Sequence, residues 1–338
     1  MQKRVLVTGG AGYVGSVLVP ELLARGYRVR VLDKFVFGEE SIAGFKDQIE
    51  IVKCDIRTPP PDLMEGVWAV IHLAGLSTEA TSYYSPRYTD KVNHLGTEII
   101  AKMAKASNVE RFVFASSCSV YFTYDTPLVP PLYNEDEKIN TISPYSISKR
   151  TVEEAVFELN DQHFRPTILR KATVYGFSPR MRYDLVLNAF TKDAFRKRQI
   201  VVHAGGEMYR PLVDIRDVAQ AYAAALELPL ERIGGKIYNV VGENWKIGEI
   251  ANIFREMIGV QRGVSVEVEV QPVGMGRSYR ADPARFNADF RLTPTRTVEE
   301  AILEMWEKLQ RGHDFTNQLF YNDYWQIELM KSGKIELT

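Results

Sequence analysis

The sequence predicts an α/β protein, a doubly wound parallel sheet with a smaller α/β lobe, and three observations carry that prediction. A glycine-rich turn, Thr8-Gly-Gly-Ala-Gly-Tyr-Val-Gly15, follows the apolar run Val5-Leu6-Val7 directly. Short β-type runs then alternate with amphipathic helical stretches to about residue 170, the pattern of parallel strands joined by crossover helices. A carboxylate, Asp33, closes the second β-type run, Val29-Arg30-Val31-Leu32, 18 residues beyond Gly15.

Composition narrows the partners. The chain has 338 residues, with 42 Lys plus Arg against 43 Asp plus Glu, so no bulk charge attracts nucleic acid or an anionic membrane. No apolar run approaches the ~18 residues of a membrane span, and the start Met1-Gln2-Lys3-Arg4 leads into a short strand and not a signal-peptide core. A cytoplasmic protein with a small-molecule partner is expected. The two cysteines, Cys54 and Cys118, suit a reducing compartment, and the five histidines (72, 94, 163, 203 and 313) lack metal-ligand spacing, so no metal is assigned.

Gly9, Gly12 and Gly15 keep a G-x-x-G-x-x-G spacing. One glycine makes the turn, one admits a pyrophosphate to the backbone, and one lets helix and strand pack closely, with the phosphates on free N–H groups at the helix start. No Gly-Lys-Ser/Thr follows, which excludes the other common phosphate loop. The first helix, about Tyr13 to Arg25, shows a stripe of Val14, Val17, Leu18 and Leu22, and Pro20 is expected to kink its second turn. Asp33 is placed to accept from a ribose 2′-OH, which favours NAD over NADP, with Lys34 adjacent.

Ile49–Val52 and Trp68–Leu73 read as the third and fourth strands, followed by Asp55 and by Ala74-Gly75 respectively. Residues 76 to 91 read as a loop, with a helix from about Val92 to Ser107. A fifth strand, Arg111–Ala115, runs into Ser116-Ser117-Cys118-Ser119-Val120-Tyr121, and residues 123 to 141 form a surface excursion. Ser143-Pro144 then supplies a cap and first-turn proline for a helix to about Leu159.

On that helix Tyr145 and Lys149 are four residues apart and project from one face. A phenol titrates near 10, so acting as a base at neutral pH requires a shift of about 3 units, or about 4 kcal/mol. A nearby ammonium and an oxidised nicotinamide, both cationic, can supply it, and Ser117, at the rim of the neighbouring strand, could hydrogen-bond the substrate oxygen that Tyr145 deprotonates.

Beyond residue 170 the composition changes. Between Arg170 and Arg216 there are ten basic residues and four acidic ones. Arg196-Lys197-Arg198 reads as a solvated face, whereas Arg180, Arg182 and Arg210 lie beside Gly or Pro and could grip an anionic ligand. Lys236–Val241 reads as a return to the sheet, and the aromatic tail 313–338 as packing or subunit contact.

Taken together these residues resemble the extended short-chain dehydrogenase/reductase family, the branch of NAD-dependent nucleotide-sugar epimerases and dehydratases, over nearly the whole chain. The resemblance rests on the glycine turn, Asp33, Cys54-Asp55-Ile56, His72-Leu73-Ala74-Gly75, Asn93, Ser116–Tyr121, Tyr145-x-x-x-Lys149, Arg210–Ala219 and Arg277–Asp282. It implies a Rossmann-type sheet domain over 1–172 with a return segment 213–252, and a substrate-binding lobe from 173–212 and 253–338. It implies Tyr145 as base, Lys149 also on the nicotinamide ribose, and Ser117 on the sugar oxygen. NAD would contact Gly9, Gly12, Tyr13, Val14, Gly15, Asp33, Lys34, Asp55, Ile56, Leu73, Ala74, Gly75, Asn93 and Ser116. A nucleotide-diphosphate sugar would contact Ser117, Cys118, Ser119, Thr173, Arg180, Arg182, Asn188, Arg210 and Arg277.

Two residues depart from the family pattern: Phe122 replaces a frequent glycine, and Thr173 replaces the asparagine of many 4-epimerases. A homodimer through the helices near 92–107 and 145–159 is also implied, with Val152, Val156 and Leu159 on a common side. Dehydratases of the family carry Asp-Glu directly after the catalytic hydroxyl residue; Cys118 and Ser119 stand there in this chain, so epimerisation is favoured over loss of water. The thiol of Cys118 could take part if it faced the sugar. Dehydration, keto-sugar reduction and non-catalytic dinucleotide binding are the alternatives.

Overall fold

Seven short apolar runs become the seven strands of one sheet: β1 Arg4–Thr8, β2 Arg28–Asp33, β3 Glu50–Lys53, β4 Val67–His72, β5 Arg111–Ser117, β6 Thr167–Lys171 and β7 Lys236–Val240. In the computed structural model, which describes residues 2–123, 127–138, 141–272 and 276–334, they lie in the order β7-β6-β5-β4-β1-β2-β3. Every neighbouring pair is parallel. Alternate side chains of β1 enter different cores, Val5 and Val7 on one face and Leu6 on the other. Burial on both faces is why this strand reads as an unbroken apolar run.

Helices cover both faces. Gly15–Ala24 and Ile215–Glu227 pack together on one, and Gly96–Ala106 and Pro144–Glu158 on the other. The first helix runs through Pro20, whose ring is exposed. Strand order reverses between β1 and β4, so a crevice opens at the carboxyl ends of these two strands, where such sheets bind ligands. The return segment joins as β7, in register with β6 from Lys236 opposite Thr167 to Val240 opposite Lys171.

Three short strands, Glu243–Lys246, Tyr209–Asp214 and Thr173–Tyr175, make a second sheet in that order, and Gln199–Val202 pairs with Glu267–Val270. Val186–Lys197, Ile247–Arg262 and Val298–Gln310 are the longer helices beside them.

Segment 76–91 is not the expected loop. Thr78 caps a helix Glu79–Tyr84 by accepting from the Thr81 N–H at 3.2 Å, and Ser85-Pro86 opens a second, Pro86–Asp90. Both are amphipathic at short range, burying Thr81, Ser82 and Tyr88. The following helix has a π turn at Lys91–Leu95 and regular geometry over Gly96–Ala106. In the excursion 123–141, Leu132–Tyr133 pairs with Arg280–Ala281, while 124–126 and 139–140 lie outside the described residues.

Val152 and Val156 do not offer a subunit surface, being 1% exposed in the protein's own core; Ile147 and Leu95 are the large apolar residues exposed on those helices. The tail forms a turn, Gln318–Phe320, and a helix, Asn322–Lys331, and residues 335–338 lie outside the described set.

Candidate active site

A cavity of about 740 Å³ runs over the carboxyl ends of the strands. At one end lies the glycine turn. Gly9 has φ +73°, and a Cβ there would come within 2.8 Å of the Ala74 nitrogen; one on Gly15 would meet the Gly9 carbonyl at 2.4 Å. These two glycines serve the turn and the close packing. A Cβ on Gly12 would meet only the Gly9 oxygen, at 3.1 Å, which leaves its cavity side open for close approach.

Asp33 accepts from the Ala11 N–H at 3.0 Å and the Phe35 N–H at 2.8 Å, and its two oxygens have lone pairs beyond those the backbone N–H groups use. Burial raises its pKa while these N–H groups lower it. Lys34 turns instead to Asp55, at 2.9 Å, and with Arg57 holds that carboxyl well below the usual range despite its burial. Ile56, Leu73, Ala74 and Gly75 complete this wall. Asn93 stands behind it, accepting from the Leu76 N–H at 2.8 Å and donating to the Leu76 carbonyl at 3.0 Å.

At the other end Ser143 caps the helix Pro144–Glu158, accepting from the Ser146 N–H at 3.2 Å, and Tyr145 and Lys149 leave it toward the cavity. Lys149 Nζ donates to the Ala115 carbonyl at 2.9 Å and lies 6.0 Å from the Tyr145 ring centre. Ser117, at the end of β5, lines the same cavity and acts on the phenol. Burial pushes Tyr145 up to about 12, with Arg182 and Ser117 pulling down and Glu79 pushing up. Lys149 is pushed down to about 8, also by burial.

The charge acting most on the phenol is therefore Arg182, and not Lys149 as the helix spacing suggested. Arg182 is held by an ion pair with Asp184 and donates to Ser77 at 3.1 Å.

Ser119, Thr173, Arg182, Arg210 and Arg277 also line the cavity. Arg210 lies 5.4 Å from the Tyr279 ring, and Arg277 pairs with Glu79 at 3.0 Å. Four expected residues are placed differently. Cys118 faces away, its thiol donating to the Arg170 carbonyl at 3.2 Å, and burial raises its pKa; the turn Cys118–Tyr121 rotates it off the cavity wall. Ser116 reaches the wall, but its hydroxyl bonds the buried Glu153. Asn188 is a buried brace, accepting from the Gly176 N–H at 3.1 Å and donating to Tyr13 Oη at 3.0 Å and the Arg182 carbonyl at 3.0 Å. Arg180 lies 3.7 Å over the ring of Phe37, in the segment after Asp33, which puts it toward the glycine-turn end.

Several lining residues carried no motif. Lys171, at the end of β6, donates to the Ser116 carbonyl at 2.9 Å and is pushed down to about 7 by burial and by Lys149. Glu79 has one buried carboxylate oxygen without a partner. The tail helix contributes Asn322, Asp323 and Gln326, and Trp325 fastens it by donating to the Val36 carbonyl at 2.7 Å. Lys171 was legible only as one of ten basic residues, and the tail had no local signal.

The open Gly12, the spare lone pairs of Asp33 and the unpartnered Nε and Nη2 of buried Arg180 are what a bound dinucleotide would satisfy. Residues 5–241 match the model of the NAD dependent epimerase/dehydratase family. The chain is 31% identical over 261 residues to a Methanocaldococcus jannaschii protein provisionally assigned as a UDP-glucose 4-epimerase, covering 75% of this chain and 82% of that one. It is 26% identical over 331 residues to the UDP-glucose 4-epimerase of Bacillus subtilis, covering 89% and 95%. The Thermotoga maritima UDP-glucose 4-epimerase, solved with UDP-glucose, superposes with a TM-score of 0.79 at 25% identity over 91% of this chain and 99% of that one. A glycine turn, an acid at the end of β2 and a Ser-Tyr-Lys set on one cavity agree with that match, and this chain belongs to the NAD dependent epimerase/dehydratase family.

Proposed function

We propose that this protein is an NAD-dependent epimerase of a nucleotide-diphosphate sugar, working as a cytoplasmic homodimer. The observation that carries the reading is that Ser117, Tyr145 and Lys149 share one cavity with the glycine turn and Asp33. NAD would be held by Gly9, Gly12, Tyr13, Val14, Gly15, Asp33 and the 55–56 and 73–75 walls. Bound with its nicotinamide toward Tyr145, NAD supplies an acceptor for hydride from a sugar carbon and a positive ring that favours the phenolate.

Tyr145 takes the proton from the sugar hydroxyl, and Ser117 hydrogen-bonds the same oxygen as it becomes a carbonyl. The protein alone holds the phenol protonated at neutral pH, since burial dominates. Arg182 is the protein's cation that favours the phenolate, and Lys149 and Lys171 line the same cavity. Arg210 and Arg277, with Thr173 and Ser119, face the remaining volume and suit a diphosphate. The division into a sheet domain, 1–172 with 213–252, and a lobe from 173–212 and 253–338 belongs to the same reading.

Loss of water needs an acid and a base beside the keto carbon. Cys118 points away and Ser119 is only a hydroxyl, which favours epimerisation. The test is to incubate candidate sugar nucleotides with the enzyme in deuterated water. Unchanged mass supports rotation of a keto-sugar and return from the other face, and one added deuteron supports inversion beside the ketone. Loss of 18 mass units of water would overturn the epimerase reading and turn attention to Lys171 and Glu79.

A further inference from the structure

Arg180 carries more than a general positive charge. After the strand Thr173–Tyr175 the chain turns at Gly176, φ +108°, and the next residues are fastened onto the start of the helix Gly15–Ala24. Tyr13 Oη donates to the Gly176 carbonyl at 2.8 Å, and Ser178 Oγ donates to the Tyr13 carbonyl at 2.8 Å and lies 2.8 Å from Ser16 Oγ. The Arg180 N–H donates to Ser178 Oγ at 3.3 Å, so the backbone at Arg180 is registered against the first turn of the glycine helix.

The side chain is 2% exposed. One nitrogen, Nη1, donates to the Met181 carbonyl at 2.8 Å, while Nε and Nη2 have no partner. Arg180 forms no ion pair among the described residues; Asp33 and Asp184 act on it only through space, and Asp184 is paired with Arg182. Burial lowers its pKa to about 9. A buried cation with two idle donors is costly unless an anion meets it.

The idle pair is informative. Nε and Nη2 form the edge of a guanidinium that gives two parallel hydrogen bonds to a carboxylate or phosphate. That edge belongs to a residue lining the cavity, beside a helix N-terminus whose N–H groups and dipole favour an anion and whose Gly12 is open on the cavity side.

Resting on the NAD reading above, we infer that Arg180 is a ligand of the cofactor's pyrophosphate, delivered across the cavity from the segment that follows the second sheet. The glycine helix grips the diphosphate from one side and the guanidinium fork from the other. The same segment carries Arg182, the cation acting on Tyr145, so filling the pyrophosphate site also steadies the residue that tunes the phenol.

The test is calorimetric binding to nucleotide-stripped protein, comparing wild type with Arg180→Gln and Arg180→Lys and using adenosine, ADP, ADP-ribose and 2′,5′-ADP as probes. Arg180→Gln should weaken ADP and ADP-ribose at least 30-fold and leave adenosine within twofold; Arg180→Lys, a point charge without the fork, should recover only part. Thermal unfolding of stripped Arg180→Gln should be at or above wild type, since the variant removes an unpaired buried charge. Equal losses for adenosine, an unchanged ADP affinity, or a loss confined to 2′,5′-ADP would each overturn the inference while leaving the NAD reading intact. Wild-type protein that binds neither ADP-ribose nor NAD would overturn both.

Discussion

At the scale of single residues, the site is a balance between burial and charge. Burial pushes Tyr145 up to about 12 against the pull of Arg182, and the two lysines on the same cavity are lowered by burial, Lys149 to about 8 and Lys171 to about 7. Tyr145→Phe removes only the titrating oxygen; turnover should fall on the order of 10²–10⁴-fold, with NAD affinity within threefold of wild type by calorimetry. Retention of activity within a few-fold would assign the base to another group. The lysines also make stability depend on pH. An unfolded lysine titrates near 10.4, so between the lowered folded values and that point the unfolded chain binds more protons, and stability rises with pH. It is lowest below about pH 7, where the folded state must carry both buried charges. Lys171→Met should raise the melting temperature of the nucleotide-free protein at pH 7 and shrink its gain between pH 7 and 9; scanning calorimetry across that range reads both. Tyr145 and Lys149 were legible because four residues on a helix define a common face. Lys171 and Glu79 were not, because nothing local marks which strand-end or loop side chain meets a cavity.

The helix Pro144–Glu158 shows the same division at the scale of an element. Ser143 and Pro144 announce its start in sequence, and the cap forms as expected. Ser143→Ala should cost about 1 kcal/mol in urea unfolding and lower activity further by loosening the turn that carries Tyr145. What fastens the helix to the sheet has no local signature: Glu153 pairs with Arg170 of β6 at 2.6 Å, both nearly fully buried, and Arg170 also donates to Tyr121 Oη at 2.8 Å. Glu153→Ala strands the guanidinium and should cost about 3–5 kcal/mol by denaturant titration. Arg170, in sequence only one of ten basic residues between 170 and 216, is a structural residue.

For the whole molecule, the tail and the helix pair matter most. The helix Asn322–Lys331 reaches back over the cofactor side, bonded to Val36 and, through Gln326, to Thr81 at 3.0 Å. A chain ending at Gly312 should bind NAD at least 10-fold more weakly, read by calorimetry; equal affinity would reduce the tail to packing. The proposed dimer would have to use other residues than Val152 and Val156, which are buried. Leu95 and Ile147, each 46% exposed, are the apolar side chains that these helices leave uncovered. Ile147→Glu should give a monomer by light scattering at micromolar concentration where wild type is a dimer, and a monomeric wild type would dismiss the proposal.

By itself the sequence determined the parallel sheet, the glycine turn with its acid, and the Tyr145–Lys149 pair. Each of these is written in local periodicity or short spacing, which backbone geometry translates directly. Only the tertiary structure decided that Cys118 turns from the site while Lys171 lines it, that Arg182 and not Lys149 bears most on the phenol, and that Arg180 lies over Phe37 beside the segment fastened to the glycine helix. Those outcomes depend on which distant segments share a low-dielectric cavity, where burial and nearby charge set the chemistry of a side chain, and contacts across more than a hundred residues leave no period in the chain.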